Sequence, residues 1–264
     1  LCNVLEPRTA VYLSSASHEL RELTQALLPQ LRADHQAAKA LCRKAGLRSC
    51  KALRKAKRVH LYDKDLSAAD LALLGTLGSV LPALELLVIS ETSVGTDGAL
   101  RLAAGLGAGA LPAVSSLITN TLYMGDAGAS ALAAALGRGA LPRLQILALG
   151  NAGIGDAGLV ALAPALRRLP ALFFLSLAHN PFGDEGLAAL VAPAGAPPTA
   201  APPTAVLPKL KELRLSSTQI TDAGCAALAA ALDSGALLAL KTLDLEHIPA
   251  SDAAQAAVHE ARAN

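Results

Sequence analysis

The stretch Leu144-Gln-Ile-Leu-Ala-Leu-Gly-Asn-Ala-Gly-Ile-Gly-Asp-Ala-Gly158 determines how the chain folds. Its first half is a short apolar run, which predicts a short strand with Leu144, Leu147 and Leu149 as the inward candidates. A glycine-rich turn follows, and Asp156 is placed to accept backbone N–H groups as the N-cap of a helix over 159–166. One such unit is too small to bury its own apolar face, so the fold depends on its recurrence.

The unit recurs as seven repeats, here numbered 1 to 7. Successive repeats start 28, 30, 30, 28, 38 and 30 residues apart. Their first strand positions are Ala56, Leu84, Val114, Leu144, Leu172, Leu210 and Leu240. Positions three and five residues further on are apolar in every repeat except at Thr119. A register held over seven units indicates a solenoid in which stacked repeats share one core.

The pattern resembles that of leucine-rich repeats over residues 54–264. The period and the Asp-Ala-Gly helix start, present at Asp126, Asp156 and Asp222, resemble the ribonuclease-inhibitor type of that family. The resemblance implies an α/β leucine-rich-repeat solenoid, or horseshoe, with a parallel concave sheet and convex helices. The family's Asn eight residues after the first strand position is present only at Asn180, so we expect irregular turns in the other repeats.

The chain divides into two predicted regions of one elongated domain. Residues 1–53 carry apolar residues at helical spacing and are expected to form a helical cap, because a terminal repeat left uncovered would expose its core. Residues 54–264 form the repeats. A Pro-rich insertion at 193–205 lies within the 38-residue step. It is either a tolerated polyproline-type loop or a docking site for a Pro-recognition domain.

The predicted cap has a basic run. It is either a solvated helix face or a second contact with an acidic partner or an anionic surface. The residues of this basic cap are Arg43, Lys44, Arg48, Lys51, Arg54 and Lys55.

A second resemblance concerns the first residues of the chain. The segment 5–13, continuing at 20–23, is similar to the later part of an F-box, which often precedes leucine-rich repeats in substrate adaptors of ubiquitin ligases. This resemblance implies that the N-terminal helices bind a ligase scaffold and that the repeats bind a substrate.

Composition excludes several classes of function. The net charge is +2, aromatic residues make up 2% and Trp is absent, so we expect no nucleic-acid partner. No apolar run approaches the ~20 residues of a transmembrane helix, and no signal peptide is recognisable. Because the sequence begins with Leu1, the removal of a leader stays open. Localisation is not determined, although four cysteines do not form a disulfide framework and an intracellular compartment is favoured.

Catalysis has little support in the sequence. None of the six His lies at metal-ligand spacing with Cys or with another His, and no nucleophile or phosphate-loop motif is present. We therefore predict no enzyme, no metal site and no cofactor. Cys42 and Cys50 are expected to lie close together in the cap, either as reduced, packed thiols or as a disulfide.

The predicted functional surface is the concave side of the sheet. If positions three and five point inward, positions two, four and six point outward. Their centre is apolar and their ends are polar, which is typical of a protein-binding patch, unless curvature or a loop covers them. The concave patch comprises Leu86, Val88, Ile118, Ile146, Phe174, Arg214, Asp244 and Glu246. The leading hypothesis is a non-enzymatic interaction module or assembly subunit. The alternatives are a ubiquitin-ligase adaptor and a regulator of a small GTPase.

Overall fold

The computed structural model describes residues 8, 11, 12, 15, 18–91, 93–107, 109–191 and 206–263. Within them, strands β1 to β7 are Arg58–Tyr62, Leu86–Ser90, Ser116–Ile118, Ile146–Ala148, Phe174–Ser176, Glu212–Arg214 and Thr242–Asp244. Helices α1 to α9 are His18–Lys44, Cys50–Lys55, Ala68–Leu77, Gly95–Gly105, Gly125–Gly137, Asp156–Arg167, Asp184–Val191, Asp222–Asp233 and Asp252–Ala263.

The strands form one parallel sheet in the order of the chain, from β1 to β7. Each residue pairs with the residue at the same repeat position in the next strand. Leu87 pairs with Leu117, and Leu117 pairs with Leu147. Parallel neighbours need a crossover, and a helix supplies it in every repeat. The predicted α/β solenoid and its register are confirmed.

The core lies between the sheet and the helices. Side chains at positions three and five of the repeats point into it, and none is more than 7% exposed. Position five holds Thr119 in repeat 3, where the hydroxyl is 3.4 Å from the Ala148 carbonyl oxygen and donates to it. Positions three and five therefore form the buried side of the sheet, as the alternation predicts.

The turns after the strands are regular in repeats 3 to 7, contrary to our expectation. One residue in each adopts the left-handed conformation, with φ between 52° and 64°. These residues are Thr121, Asn151, His179, Ser217 and His247. In repeat 3, which lacks the Asn and is followed by a repeat that also lacks it, the N–H groups of Thr119 and Thr121 donate to the carbonyls of Ala148 and Gly150, both at 2.8 Å, and that of Met124 donates to the carbonyl of Ala152 at 2.9 Å. The backbone of the neighbouring repeat satisfies this turn, so the missing Asn side chain leaves no irregularity there.

Asn180 is the one side chain that fills the family's Asn position. It is 1% exposed. Its Oδ1 accepts the N–H groups of Ala152 and Ile154, at 3.1 and 3.0 Å. Its Nδ2 donates to the carbonyls of Leu149 and Leu177, both at 2.8 Å, and to that of Ala178 at 3.2 Å. Asn180 thus joins the turns of repeats 4 and 5.

Asp156 does not cap its own helix, which corrects our interpretation. Gly155 is the N-cap residue, and Asp156 Oδ1 accepts the N–H groups of Gly183 and Gly186 in the following repeat, at 2.9 and 2.7 Å. A Cβ on Gly186 would lie 2.9 Å from Asp156 Oδ1. The Asp-x-Gly motif therefore acts across two repeats, because the Gly of one leaves room for the Asp of the one before. The same bridge is made by Asp126 to Gly155 and Gly158, by Asp184 to Thr221, and by Asp222 to Ser251.

A charged contact joins α1 to repeat 1. The Lys44 ammonium lies 2.8 Å from the Asp70 carboxylate and donates to the Asp65 carbonyl at 2.7 Å. Asp70 also forms a capping box with Ser67 at the start of α3. The Lys44 ammonium therefore has its partners within the chain. This corrects its assignment as a residue of the basic cap that contacts a partner. Helix α2 crosses the boundary predicted at residue 53, and the division into cap and repeats stays a prediction.

Two segments singled out in the sequence lie outside the described residues, wholly or in large part. The Pro-rich insertion at 193–205 is one of them. The other is the F-box-like segment at 5–13, of which only residues 8, 11 and 12 are described.

Candidate functional site

The concave patch lies on adjacent strands. Leu86, Ile146 and Phe174 share one register row of the sheet, and Val88 and Ile118 share the row two residues further on. Ser116 lies between Leu86 and Ile146 in the first row, whereas Ile146 and Phe174 are direct neighbours. Since neighbouring strands are about 4.8 Å apart, the apolar side chains cluster across β2 to β5 around this one polar position.

This apolar centre is less open than the sequence suggested. Leu86, Ile118, Ile146 and Phe174 are half-buried. Val88 is only 3% exposed, so it does not offer a contact surface, which corrects its assignment. It lies between two large side chains in the register, His60 on β1 and Ile118 on β3. Full burial of such a side chain contributes about 1.5–3 kcal/mol, and half-buried ones have less to gain.

An arginine lies over the C-terminal part of the apolar centre. The Arg214 guanidinium is 5.2 Å from the centroid of the Phe174 ring. Glu212 Oε1 accepts from Arg214 Nε and Nη2 at 2.7 and 2.6 Å, which orients the guanidinium across the ring. The Arg214 side chain is still 50% exposed. It can therefore offer both a cation–π surface and free N–H donors to a partner.

Carboxylates occupy the C-terminal end of the patch. Asp244 accepts the Ser216 hydroxyl at 2.8 Å and the N–H of Glu246 at 3.1 Å, so its side chain is held in one orientation. Glu246 is exposed. Together with Glu212, these groups outnumber Arg214, and this end of the patch is acidic.

The N-terminal end of the concave surface carries a cation and an aromatic pair. Arg58 is exposed. His60 and Tyr62 stack with ring centroids 5.6 Å apart, and His60 Nδ1 lies 3.3 Å from the Tyr62 hydroxyl. Tyr62 is 48% exposed. The two ends of the concave surface thus have opposite electrostatic character.

Our sequence reasoning missed Tyr62 and Tyr123. Tyr123 is 55% exposed, and its ring covers Gly153, where a Cβ would lie 2.2 Å from Tyr123 Cε2. The chain has only three tyrosines, and all three, including Tyr12, are exposed. Tyrosines are enriched in protein interfaces. In a sequence with so few aromatic residues, each tyrosine was therefore a candidate interface residue.

The remaining basic residues of the cap face solvent. They are Arg43, Arg48, Lys51, Arg54 and Lys55. Three of them, Lys51, Arg54 and Lys55, line an open groove against the turn Pro82-Ala83.

Other chemistry has little structural basis within the described part of the chain. No group of three or more His, Cys, Asp and Glu side chains is placed to hold a metal ion there. Cys42 and Cys50 are buried free thiols, and burial, with Cys50 beside it, raises the pKa of Cys42 to about 12. An apolar cavity of about 20 Å³ between repeats 2 and 3 is too small for a ligand. None of the helices in the described ranges is both long and apolar enough to cross a bilayer.

Comparison with known proteins agrees with this architecture. Residues 141–163, 174–191 and 206–229 match the family model described as Leucine Rich repeat. Over these three segments the chain carries leucine-rich repeats. Proteins built from these repeats generally act as scaffolds for protein–protein interaction, for which the extended concave surface is suited.

Solved structures show partial likenesses. Internalin C2 of Listeria monocytogenes is 17% identical, with a TM-score of 0.45, and the alignment covers 82% of this chain and 85% of that one. Another internalin (inlF) of the same organism is 19% identical, with a TM-score of 0.38, over 78% of this chain and 60% of that one. The sequence has no significant match among curated proteins. The fold assignment rests on the register of the chain itself.

Proposed function

We propose that this chain is a non-enzymatic interaction module or assembly subunit that binds a protein partner through its concave patch. The observation that carries the proposal is the layout of that surface. A half-buried apolar centre lies between a basic, aromatic end at Arg58 and Tyr62 and an acidic end at Asp244 and Glu246. An apolar centre with a polar rim is the usual anatomy of a protein interface.

The polar ends supply the stronger anchors in this proposal. Tyr and Arg are the residue types that most often dominate binding energy, and Tyr62 and Arg214 are both about half exposed. The loss of translational and rotational freedom on association costs about 4–15 kcal/mol. Burial of an apolar centre that is already half-covered offsets this cost only in part. We therefore expect moderate affinity, with specificity set by the opposite charges of the two ends.

Affinity capture from a lysate of the cells that express the protein tests the proposal. The concave variant is Ile118→Asp with Phe174→Asp. The matched control is Leu100→Asp with Val160→Asp, which places the same charges on exposed apolar positions of helices α4 and α6. The proposal predicts that the control keeps the partner and the concave variant loses it. Loss in both variants, or in neither, contradicts it.

A second variant guards against misfolding, because Ile118 and Phe174 are half-buried. Tyr62→Ala with Arg214→Ala removes only exposed groups, and circular dichroism should be unchanged. The concave proposal predicts that this variant also weakens capture. A partner captured equally well by the native chain and by both concave variants would place the binding surface elsewhere.

Three finer hypotheses come from the sequence alone. A ubiquitin-ligase adaptor requires that residues 1–53 recover a ligase scaffold from lysate. A regulator of a small GTPase requires that the full chain changes the rate of GTP hydrolysis. Docking at the Pro-rich insertion requires that deletion of 193–205 abolishes partner capture. We rank them below the concave proposal because no described contact favours them.

A further inference from the structure

The sheet has two edge strands, β1 and β7, and they differ in how far they are closed. β7 is three residues long, and Arg262 of α9 donates to the neighbouring Lys241 carbonyl at 2.7 Å. β1 is five residues long and contains neither Pro nor Lys. Short length, Pro and Lys are common means by which proteins prevent an edge strand from pairing with another chain. β1 lacks all three, so its edge is open to pairing.

The backbone of β1 alternates between β2 and this open edge. The N–H of Asp63, just after the strand, donates to the Ser90 carbonyl of β2 at 3.1 Å. Successive residues of a strand direct their N–H and C=O groups to opposite sides, so the odd-numbered residues face β2 and the even-numbered ones face outward. Within the described residues, the outward N–H and C=O groups have no hydrogen-bond partner. They belong to Arg58, His60 and Tyr62.

The helices before β1 close the end of the core. α1 packs against α2 and α3, and its residues Ala38, Leu41 and Cys42 are buried in the core. The side chains of Arg58 and Tyr62 are exposed on the concave side of β1. The described part of the N-terminal region therefore covers the apolar end of the solenoid, and the polar backbone edge of β1 stays available to a further strand.

Charge of opposite sign lies at the two ends of β1. Lys55 and Arg58 are exposed at its N-terminal end, and the exposed turn Asp63-Lys64-Asp65 after its C-terminal end is net acidic. Lys57 pairs with Glu85 at 3.0 Å, whereas none of the other five side chains forms an ion pair within the described ranges. A second β1 in antiparallel orientation would bring each basic end beside an acidic turn, and a two-fold axis would make this contact twice.

We propose that β1 is the interface of a two-fold symmetric homodimer, in which it pairs antiparallel with β1 of a second copy of this chain, centred on His60. In this register Arg58 lies opposite Tyr62 of the partner subunit, and all outward N–H and C=O groups of both strands find a partner. Residues paired in this way have Cα atoms about 5.5 Å apart, which lets the Arg58 guanidinium reach the partner's Tyr62 ring. A foreign strand would satisfy the backbone, but a second copy matches the backbone, the Arg–Tyr pair and the charged ends together.

The dimer joins two concave surfaces. Because the two-fold axis is normal to the sheet, the strands of both copies form one sheet with both concave sides facing the same way. The interface is small, since it consists of one pair of short strands and their flanking turns. We therefore expect a weak dimer that dissociates at micromolar concentration. The inference does not depend on the proposed function, because the concave patch is not needed for this pairing.

Sedimentation equilibrium of the full chain, over about 5–300 µM, measures the dimer dissociation constant. His60→Pro removes an outward N–H and blocks the edge, and it leaves the pairing with β2 intact because Pro is tolerated where the N–H faces outward. The matched control His60→Thr changes the side chain but keeps the N–H. We expect the dissociation constant to rise at least about tenfold in His60→Pro and less than about threefold in His60→Thr. A native chain that stays monomeric, or a His60→Pro variant that dimerises like the native chain, overturns the inference.

An exchange of two exposed residues tests the register without relying on Pro. Tyr62→Arg places two arginines opposite each other at both ends of the paired strands and should weaken the dimer at least about tenfold. Arg58→Tyr with Tyr62→Arg restores an Arg–Tyr pair at both places, so this variant should dimerise within about threefold of the native chain. Circular dichroism should be unchanged in both, because both positions are exposed. A double variant as weak as Tyr62→Arg alone contradicts the antiparallel register and overturns the proposal.

Amide exchange followed by NMR distinguishes a second copy from a segment of the same chain. The amides of Arg58, His60 and Tyr62 should exchange more slowly as the protein concentration rises, whereas those facing β2 should be protected throughout. Outward amides protected equally at every concentration would mean that the chain covers its own edge, which overturns the proposal. The concave variant Ile118→Asp with Phe174→Asp should dimerise like the native chain, because its substitutions lie on β3 and β5. Loss of the dimer in that variant would place the interface on the concave patch instead.

Discussion

Repeats 3 to 7 and the N-terminal part of the chain are held together differently. From repeat 3 onward, one arrangement is used four times, in which an Asp at the start of a helix accepts N–H groups of the next repeat. In repeat 2 that position is Thr96, and the neighbouring Asp97 pairs with Arg101 on its own helix at 2.8 Å. The side-chain contacts there, added to the pairing of β1 with β2, come from Lys44 and Glu91, each of which occurs once. The periodic sequence of repeats 3 to 7 thus produces the same contact at each junction. The contacts of Lys44 and Glu91 in the N-terminal part involve charged side chains, so we expect them to depend on pH and salt.

Glu91 is the buried group that joins repeats 1 and 2. It is 5% exposed and accepts the N–H of Leu66 at 3.2 Å and the Ser93 hydroxyl at 2.8 Å. Burial alone would raise its pKa, but hydrogen bonds from Ser93 and from the N–H groups of Leu66 and Lys64 outweigh burial and hold the pKa below its ordinary value. The carboxylate is therefore ionised in the folded chain at neutral pH.

The largest effect should come from the repeated region. Asn180→Ala removes five hydrogen bonds and leaves buried N–H and carbonyl groups of repeats 4 and 5 unpaired. We expect the free energy of unfolding to fall by about 3–4 kcal/mol in a urea titration. The control Gln145→Ala changes an exposed amide and should stay within about 0.5 kcal/mol. A loss below about 1 kcal/mol for Asn180→Ala would mean that backbone contacts alone hold these turns.

A double-mutant cycle tests the Asp-x-Gly bridge. Gly186→Ala brings a Cβ within 2.9 Å of Asp156 Oδ1 and should destabilise the chain by about 2 kcal/mol. Asp156→Ala should destabilise it by about 1–2 kcal/mol and speed amide exchange at Gly183. The double variant has no Asp156 carboxylate for the new Cβ to meet. Its loss of unfolding free energy should therefore be about 1 kcal/mol smaller than the sum of the losses in the two single variants. Gly137→Ala, with nothing within 4 Å of its Cβ, is the control and should be neutral or stabilising. Additive losses would contradict the bridge.

The contrast also explains what the sequence could predict. Periodic apolar residues determine the strand register, so the pairing of Leu87 with Leu117 and Leu147 follows from counting. Contacts between repeats depend on which side chain fills a space left by a residue of the next repeat, and the repeat period does not contain that information. The period places Asp156 at the start of its own helix but does not show its contacts with Gly183 and Gly186 of the following repeat. Val88 and Lys44 were misjudged for the same reason, since His60, Ile118 and Asp70 approach them only in the folded chain.

Glu91→Gln tests the ionic nature of the N-terminal junction. At pH 7 we expect a loss of about 1–2 kcal/mol, because hydrogen bonds to a charged acceptor are stronger than those to an amide. The pKa of Glu91 is lowered on folding, so its contribution is complete above its ordinary value of 4.5 and is lost as the pH falls through the folded pKa. The difference between native and variant chains should therefore shrink in acid. Glu85→Gln breaks only the exposed pair with Lys57 and should show little effect at any pH.

Lys44→Met should produce the smallest loss of unfolding free energy. The size of this loss shows how strongly α1 is attached to the repeats. The variant keeps the apolar stem of the side chain and removes the ammonium that contacts Asp70 and the Asp65 carbonyl. We expect a loss of about 0.5–1 kcal/mol that diminishes with added salt, because the pair is only partly buried. Lys39→Met removes an exposed ammonium from the same helix and should change nothing. If amide exchange in α1 rises in Lys44→Met alone, while repeats 3 to 7 stay protected, the junction opens separately from the repeated region. Uniform exchange along the chain would instead mean that the two regions unfold together, despite their different contacts.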